Sequence, residues 1–310
     1  MGKSIGKRAG IAAALAAGLT LTACSSGIAG DEELQLGGKE LNIPYNDSGS
    51  AIRSFVMAEV LKDAGYDVTL TPLEAAGTVY ANASEDTDTF HASGWYPETD
   101  KEYLSEYGGN LDVYTKTNLI DQASVSLAVP EYMTDVNSIA DLEKDPELAK
   151  SLNRTITGID PRCGIMEKTD TAIEDNTYKL GTWTLKDGSE RDMLAALQEA
   201  LKSQTPIVII GWTPHWAVSE MKLKLLKDPE EVFSSGEEHI NLVFNKKFKD
   251  EHPAAYKIVT AIGDDWSASE EASLSKQIFV EGKDKQTVLD AYMKSHSNKV
   301  DKWQEGVAKE

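Results

Sequence analysis

The run Pro206-Ile-Val-Ile-Ile-Gly-Trp-Thr-Pro-His-Trp216 indicates how the chain folds. Residues 207–210 are a short apolar run of β-branched side chains, which is typical of a buried strand. Trp212 and Trp216 then lie where this strand gives way to a loop. A second strand-like run ends in the same way, at Gly94-Trp95-Tyr96-Pro97. Rigid aromatic faces at the rim of a sheet are suited to hold a small, weakly hydrated cation.

Strand-like and helix-like segments alternate along the rest of the chain. We predict strands where short apolar or alternating runs occur, and helices where apolar residues recur on one helical face. The predicted strands are residues 41–45, 66–71, 89–94, 124–129, 155–159, 207–210 and 239–244, and the predicted helices are 51–64, one that begins after Ser138, 192–203 and those within 253–303. This alternation predicts an α/β fold with mainly parallel sheets, in which ligands bind at the carboxyl ends of strands.

The N-terminal segment has the features of a secretory signal peptide. Three basic residues precede the apolar stretch 9–21, which has about 13 residues and is too short to span a bilayer, since a helix needs about 20. The stretch ends in Leu21-Thr-Ala-Cys24, which resembles a bacterial lipobox. We therefore expect residues 1–23 to be removed, and Cys24 to anchor the protein by lipid on the extracytoplasmic face of the cell membrane. An ordinary signal peptide with a chance cysteine is the alternative.

The charge and cysteine content of the chain exclude several classes of partner. Removal of residues 1–23 takes away three positive charges and changes the formal net charge from -20 to -23. Such an acidic chain argues against nucleic acid and against adhesion to anionic lipid through a basic face. Besides Cys24 the mature chain retains only Cys163, so it contains no internal disulfide and depends on a hydrophobic core. Residues 24–38 are predicted to be a flexible tether.

Several strings together resemble a known family. Gly158-Ile-Asp-Pro-Arg-Cys-Gly-Ile-Met166, Trp183 and residues 211–216 are similar to the glycine betaine-binding lipoproteins of ABC importers, the OpuAC-like substrate-binding proteins. Gly94-Trp-Tyr-Pro-Glu-Thr-Asp100 and residues 66–71 fit the other half of that family, in an order that is circularly permuted relative to some members. The resemblance covers roughly residues 40–305.

The resemblance implies a two-lobed periplasmic-binding-protein (type II) clamshell with a hinge. Lobe 1 would comprise residues 39–125 and 251–310, and lobe 2 residues 126–250. A quaternary ammonium ligand of the glycine betaine, choline or carnitine type would lie between Trp95 of one lobe and Trp212 of the other. Its methylated nitrogen has no N–H to donate, but an aromatic face attracts it by about 0.5–2 kcal/mol. The alternative is that both tryptophans are core residues that plug strand ends.

The other aromatic residues either complete the cage or pack in the core. Tyr45, Tyr80 and Tyr96 are candidates to complete the cage. The remaining tryptophans are expected to pack in the core, with Trp216 supporting Trp212 from behind; they are Trp183, Trp216, Trp266 and Trp303.

The resemblance also implies how the polar end of the ligand is held. Backbone N–H groups of Gly164 and Ile165 would bind a carboxylate, because a loop that opens onto a helix N-terminus has donors without intrahelical partners. A turn that needs glycine at positive φ is the alternative for this loop. His215 and Arg162 are further candidates for the polar end, and Arg162 would either meet a carboxylate or neutralise Asp100.

Two acids depart from the family pattern. Asp100 stands where the family carries histidine, and Asp47 occupies the best match to a family tryptophan on the first strand. A carboxylate repels another carboxylate but attracts a trimethylammonium group and accepts from a hydroxyl. If Asp47 and Asp100 face the ligand, they favour choline or a hydroxylated betaine such as carnitine over glycine betaine. If they form a solvated rim outside the cage, they favour neither.

Enzyme motifs are missing from the sequence. It contains no Gly-x-Ser-x-Gly and no His-Glu-x-x-His string, and its five histidines show no metal-binding spacing. Cys163 beside Arg162 could be a nucleophile with a lowered pKa, although a free cysteine in a turn is the commoner case. We therefore expect a monomeric binding protein without catalytic activity, cofactor or metal, which serves an ABC permease and its ATPase. The alternatives are a lipid-anchored binder of another small cationic or zwitterionic solute and an extracellular enzyme that uses Cys163.

Overall fold

The structure is a computed structural model that describes residues 33–46, 51–73, 75–233 and 238–308. The predicted signal peptide, the lipidation site Cys24 and the candidate site residue Asp47 lie outside these residues, so the statements about them remain predictions. Among the residues described, no helix combines the length and the apolar character needed to cross a membrane.

Strands and helices alternate through the described part of the chain. The strands are β1 (Glu40–Asn46), β2 (Asp67–Leu73), β3 (Phe90–Tyr96), β4 (Leu111–Val113), β5 (Ile120–Pro130), β6 (Thr155–Thr157), β7 (Thr184–Lys186), β8 (Ile209–Thr213), β9 (Leu223–Leu225) and β10 (Glu238–Asn245). The α-helices are α1 (Ile52–Asp63), α2 (Ala76–Glu85), α3 (Lys101–Tyr107), α4 (Pro146–Ser151), α5 (Gly164–Glu174), α6 (Glu190–Ser203), α7 (Trp216–Glu220), α8 (Phe248–Glu251), α9 (Pro253–Gly263), α10 (Ala268–Ser275), α11 (Lys285–Ser295) and α12 (Ser297–Trp303). Two 3-10 helices cover Ile139–Glu143 and Thr177–Thr182, and a π-helix covers Lys276–Val280.

The strands form two groups that share β5. Ala123 of β5 pairs with Glu238 of β10, and the next residue, Ser124, pairs with Thr213 of β8. We call β1–β4, β10 and residues 120–123 the first strand group, and residues 124–130 with β6–β9 the second strand group. Strand β5 therefore runs from one group into the other.

The α/β class predicted from the alternation is confirmed, but the strand pairing is mixed rather than mainly parallel. β1 pairs with β2, and β6 with β7 and β8, in parallel. Around the centre, β10 is antiparallel to β3, β4 and β5, and β5 is antiparallel to β8 and β9. Alternation in sequence predicts parallel pairing only between strands joined by a crossover helix. β5 and β10 instead meet strands that lie far away in sequence.

Helix α1 is the centre of the core beside the first strand group. The sequence predicts one buried face, but both sides of the helix are buried, because helices α9, α10 and α11 cover it. Arg53 of α1 is fully buried and donates to Glu271 of α10 at 2.7 Å. A buried charge is tolerated when it is paired in this way. The pair fixes the C-terminal helices beside the first strand group.

Two segments differ from the predicted domain limits. The predicted tether is ordered from Leu34, which forms a parallel bridge with Val307, to Leu36, which is 4% exposed and accepts a hydrogen bond from Tyr66. The reason is that these two leucines reach apolar surface on the domain. The predicted lobe 2 includes residues 238–245, but β10 pairs with β3 and β4 of the first strand group.

Candidate functional site

An open cleft of about 1080 Å³ is lined by residues of both strand groups. Trp95 near the end of β3 and Trp212 near the end of β8 both face it. The N-terminal residues of α5 and α6 line it as well, including Gly164, Ile165 and Glu190. The cleft therefore lies at the carboxyl ends of strands, where the sequence places a ligand.

Trp95 is held by the loop that follows it. Its backbone N–H donates to Asp100 Oδ2 at 2.9 Å, and the N–H of Asp100 donates back to the carbonyl of Trp95 at 2.9 Å. The indole N–H donates to Ser93 Oγ at 3.2 Å. Trp95 is 9% exposed. The donor of the indole is therefore occupied, and the ring offers an apolar face to the cleft.

Trp212 is held by close packing around β8. The preceding Gly211 lies against Ala128, and a Cβ atom at position 211 would come within 2.6 Å of the Ala128 side chain. Trp212 pairs with Val125 of β5, which also lines the cleft, and its ring meets the ring of His215 edge-on at 4.6 Å. With 8% of its surface exposed, Trp212 resembles Trp95 in burial.

Trp216 has a different position from the one expected. The sequence suggests a packing residue behind Trp212, but Trp216 itself lines the cleft. One side of its ring is stacked on His215, with centroids 5.6 Å apart and planes inclined by 28°. Phe279 stacks on it at 6.0 Å and 11°, and Phe279 also lines the cleft. Neither residue was predicted to face a ligand.

The tyrosines proposed for the cage are not among the described residues that line the cleft. Tyr96 follows Trp95 in β3, and successive side chains of a strand point to opposite faces. Its hydroxyl lies 2.9 Å from that of Tyr80, which is fully buried and donates to Asp100 Oδ2 at 3.0 Å. Tyr45 packs edge-on against Phe55 at 5.0 Å. Tyr80 thus holds Asp100 by a hydrogen bond, and Tyr96 in turn contacts the hydroxyl of Tyr80.

The start of α5 brings the two sides of the cleft into contact. Gly164 is the first residue of this helix. A Cβ atom there would collide with the backbone carbonyl of Thr99, in the loop that follows β3. Nearby, the Tyr103 hydroxyl donates to the carbonyl of Arg162 at 2.6 Å. Gly164 does not have a positive φ. Glycine is therefore required here for close approach rather than for a left-handed turn.

Asp100 lines the cleft but is only 3% exposed. Its pKa is raised to about 7, mainly by burial; the hydrogen bonds from Trp95 and Tyr80 oppose this rise, and the nearby carboxylates Glu238 and Glu167 add to it. This residue is therefore close to half-protonated at neutral pH. Its charge can adapt to what occupies the cleft.

Arg162 and His215 are not among the described residues that line the cleft, and each is paired with an acid that does. Arg162 donates through Nε and Nη2 to the two oxygens of Asp160, at 3.0 and 2.9 Å, and these bonds hold the pKa of Asp160 below its usual range. His215 accepts the N–H of Ala217 on Nδ1 at 3.1 Å, so its Nε2 donates to Glu190 at 3.0 Å. Arg162 thus forms an ion pair with Asp160.

Helix α6 contributes a wall that sequence reasoning missed. Its Met193, Leu197 and Ala200 are buried in the core. Four other residues at helical spacing line the cleft, and they are Arg191, Leu194, Ala195 and Gln198. The i, i+3, i+4, i+7 spacing of this second face was a signal in the sequence, but nothing in the helix itself indicates what it faces.

Cys163 lines the cleft next to α5. Burial raises the pKa of its thiol to about 12. The thiol is therefore neutral at physiological pH, whereas the nucleophilic form is the thiolate. This environment does not favour the alternative in which Cys163 acts as a nucleophile.

A group of possible metal ligands lies outside the lining of the cleft. Atoms of Asp88, Glu251 and His252 lie within 4.8 Å of one another. Both ring nitrogens of His252 already have partners, since Nδ1 lies 3.0 Å from the carbonyl of Gly38 and Nε2 lies 2.7 Å from Asp88. The group thus ties residue 38 to the domain.

Comparison with known proteins adds information to this geometry. Residues 40–295 match the family model for the substrate-binding domain of ABC-type glycine betaine transport systems. A glycine betaine/carnitine transport binding protein of Listeria monocytogenes, GbuC, is 32% identical over 191 residues. That match covers 62% of this chain and 62% of the Listeria protein.

Two solved structures have the same fold. Lactococcal OpuAC, in its closed conformation with glycine betaine, is 32% identical, covers 86% of this chain and 100% of its own, and has a TM-score of 0.76. An ABC-transporter choline-binding protein in complex with choline has a TM-score of 0.78 and covers 88% of this chain and 93% of its own. At 20% identity this second likeness concerns the fold alone. The fold is thus that of a type II periplasmic binding protein.

Proposed function

Because the chain belongs to the family of substrate-binding domains of ABC-type glycine betaine transport systems, we propose that it captures a small quaternary ammonium compound outside the cytoplasm. The ligand is of the glycine betaine, choline or carnitine type, and the protein delivers it to an ABC permease and its ATPase. One observation carries this proposal. Trp95 and Trp212 come from different strand groups, yet both line the same cleft.

The chemistry of the cleft suits a methylated ammonium group. Such a group has no N–H, so hydrogen-bond acceptors cannot grip it, whereas each desolvated aromatic face contributes about 0.5–2 kcal/mol. Trp95 and Trp212 are each more than nine-tenths buried, so a cation between them is shielded from water. Since each strand group supplies one of the two rings, binding and closure of the lobes are coupled.

The lobes follow from the two strand groups. We assign the first strand group, α1–α3 and the C-terminal helices to lobe 1, and the second strand group with α4–α7 to lobe 2. This keeps the predicted arrangement but moves β10 into lobe 1, because β10 pairs with β3. Strand β5 is one of the connections between the lobes.

The polar end of the ligand lies at the start of α5. Gly164 and Ile165 line the cleft at the N-terminus of an 11-residue helix, where backbone N–H groups lack intrahelical partners. They suit a carboxylate, as in glycine betaine or carnitine. Asp100 does not forbid this, because its pKa of about 7 allows it to take up a proton when a carboxylate binds. With choline, Asp100 is ionised instead and accepts from the hydroxyl.

Several further predictions form part of the same proposal. The protein is held to the membrane by lipid on Cys24 alone, acts as a monomer and does not transform its ligand. The neutral thiol of Cys163 supports the last point. A binder of another small cationic or zwitterionic solute is the remaining alternative, since the cleft is larger than one quaternary ammonium ligand needs.

Calorimetry on the soluble form that lacks residues 1–24 tests the function. We expect saturable binding of glycine betaine, choline or carnitine, with the ligand recovered unchanged. Proline and arginine serve as controls without a quaternary ammonium group. Tighter binding of arginine than of all three quaternary compounds would contradict the proposal and favour the alternative.

A further inference from the structure

Four rings form a row that leads from the surface into the cleft. Phe279 stacks on Trp216 at 6.0 Å, Trp216 on His215 at 5.6 Å, and His215 meets Trp212 edge-on at 4.6 Å. Trp216 and Trp212 are each less than a tenth exposed, whereas Phe279 is 41% exposed. An exposed phenylalanine is therefore coupled by direct ring contacts to a tryptophan of the proposed cage.

Phe279 comes from the opposite side of the cleft. It lies on the π-helix Lys276–Val280, which follows α10, and α10 is fixed to α1 by the buried pair of Glu271 and Arg53. Trp216 begins α7, directly after β8 of the second strand group. A second contact joins the same two elements, because Lys276 Nζ lies 3.1 Å from Glu220 Oε1 at the end of α7. The stack therefore bridges the two proposed lobes.

The π-helix explains how an exposed segment directs a ring into the cleft. A π-turn widens the helix by one residue and turns the side chains that follow, and such turns are frequent at functional sites. The segment ends at Gly282, which has a φ of +66° and open space around it. Val280 is the matched neighbour. It is 44% exposed but is not among the described residues that line the cleft.

We propose that Phe279 is a cover of the ligand cleft. Its stack on Trp216 forms when the lobes close, retains the ligand and sets the rate of ligand release. This inference rests on the proposed function. It adds a retaining residue from the C-terminal segment, outside the two tryptophan motifs. A stacking contact between lobes acts on dissociation more than on association, because the ligand enters before the contact forms.

Stopped-flow tryptophan fluorescence on the soluble form tests the cover with glycine betaine and choline. We expect Phe279→Ala to raise the dissociation rate about tenfold while the association rate changes less than about threefold. Phe279→Tyr keeps the ring and is expected to release ligand at the wild-type rate. Val280→Ala, the control, is expected to match wild type as well. Since Phe279 is 41% exposed, its truncation leaves the core intact, which circular dichroism checks.

The outcomes separate this inference from the function on which it rests. If the wild type binds ligand and Phe279→Ala releases it no faster than Val280→Ala, the cover is overturned and the function stands. If Phe279→Ala lowers uptake in cells with unchanged release, the residue contacts the permease instead, which also overturns the cover. If the wild type binds no quaternary ammonium compound, the proposed function falls and the cover with it.

Discussion

Trp95 and Asp100 are joined by two reciprocal hydrogen bonds, since the N–H of Trp95 donates to Asp100 Oδ2 and the N–H of Asp100 donates to the carbonyl of Trp95, both at 2.9 Å. Asp100 therefore fixes the position of a tryptophan of the proposed cage. Asp100 thus has two roles: it orders the loop after Trp95, and it places a titratable group in the lining of the cleft.

The raised pKa of Asp100 makes the stability of the protein depend on pH. The carboxyl has an ordinary pKa of 3.8 and a pKa of about 7 in the folded chain, so the folded state binds its proton more tightly. The stability that the folded chain gains from this tighter proton binding is fully present below pH 3.8 and is lost as the pH rises through about 7. Asp100→Asn cannot ionise and removes this dependence.

Urea unfolding at pH 5 and pH 8 measures the effect. We expect Asp100→Asn to be more stable relative to wild type at pH 8 than at pH 5, by about 1–4 kcal/mol. The amide oxygen can still accept from the N–H of Trp95, so the loop is retained. Parallel pH profiles for the two proteins would show that Asp100 does not titrate in this range.

Removal of either tryptophan of the proposed cage should weaken ligand binding. We expect Trp95→Ala and Trp212→Ala each to raise the Kd at least about tenfold, because each loses a cation–π face worth about 0.5–2 kcal/mol together with its apolar contact. Trp→Phe at the same positions keeps a ring and should lose less. Calorimetry gives the Kd.

Trp183 supplies the control for this pair. It is 4% exposed, donates to Glu143 at 2.7 Å and is not among the described cleft residues. Trp183→Phe should lower stability without changing the Kd. If Trp95→Ala and Trp212→Ala also left the Kd unchanged, both residues would be core tryptophans, as the alternative from sequence holds.

The positions of Trp95 and Trp212 at the cleft follow from the sequence more directly than those of the residues around them, for a physical reason. Trp95 and Trp212 end buried strands, and local apolar patterning is enough to place them there. The sequence also argues against Tyr96 as a cage residue, since it neighbours Trp95 on a strand and its side chain therefore points to the opposite face. Phe279 could not have been found, because its place depends on packing against Trp216, far away in sequence.

The mixed strand pairing also depends on contacts that the local sequence does not reveal. The positions of β1, β2, β3, β5, β8 and β10 follow from hydrophobic pattern, but their partners do not. The partner of β5 changes between two adjacent residues, since Ala123 pairs with β10 and Ser124 pairs with β8. Pattern gives each strand its buried face, whereas pairing depends on contacts that are distant in sequence.

His215 should act by positioning the two tryptophans rather than by touching the ligand. It caps α7 through its Nδ1 and lies between the rings of Trp212 and Trp216. His215→Ala removes the cap, which costs about 1 kcal/mol, and loosens both rings, so stability and affinity should fall together. Thermal unfolding and calorimetry measure the two effects.

His215→Asn separates positioning from ligand contact. Asparagine is a good N-cap and can accept from the N–H of Ala217, so stability should return most of the way to wild type. Affinity should return in part with it. If His215→Asn restored stability and bound choline like wild type but bound a carboxylate ligand as weakly as His215→Ala, the histidine would contact the carboxylate end of the ligand directly, since displaced tryptophan rings would weaken both ligands.

Closure of the cleft should depend on the absence of a side chain at position 164. A Cβ atom there would collide with the Thr99 carbonyl across the cleft, and a backbone atom cannot move aside as a flexible side chain can. Gly164→Ala should therefore hold the lobes apart and raise the Kd at least about tenfold. Alanine is a better helix former than glycine, so the fold itself should not suffer.

Gly188→Ala is the matched control for Gly164→Ala. Gly188 also lines the cleft, but a Cβ atom there would lie 3.4 Å from Asp192 Cβ, which is ordinary contact. We expect this variant to bind and close like wild type, as judged by calorimetry and by small-angle scattering with saturating ligand. Gly164→Ala should remain expanded under the same conditions. If it closed and bound as Gly188→Ala does, the contact between Thr99 and the start of α5 would not be needed for the bound state, and the coupling of binding to closure would depend on the tryptophans alone.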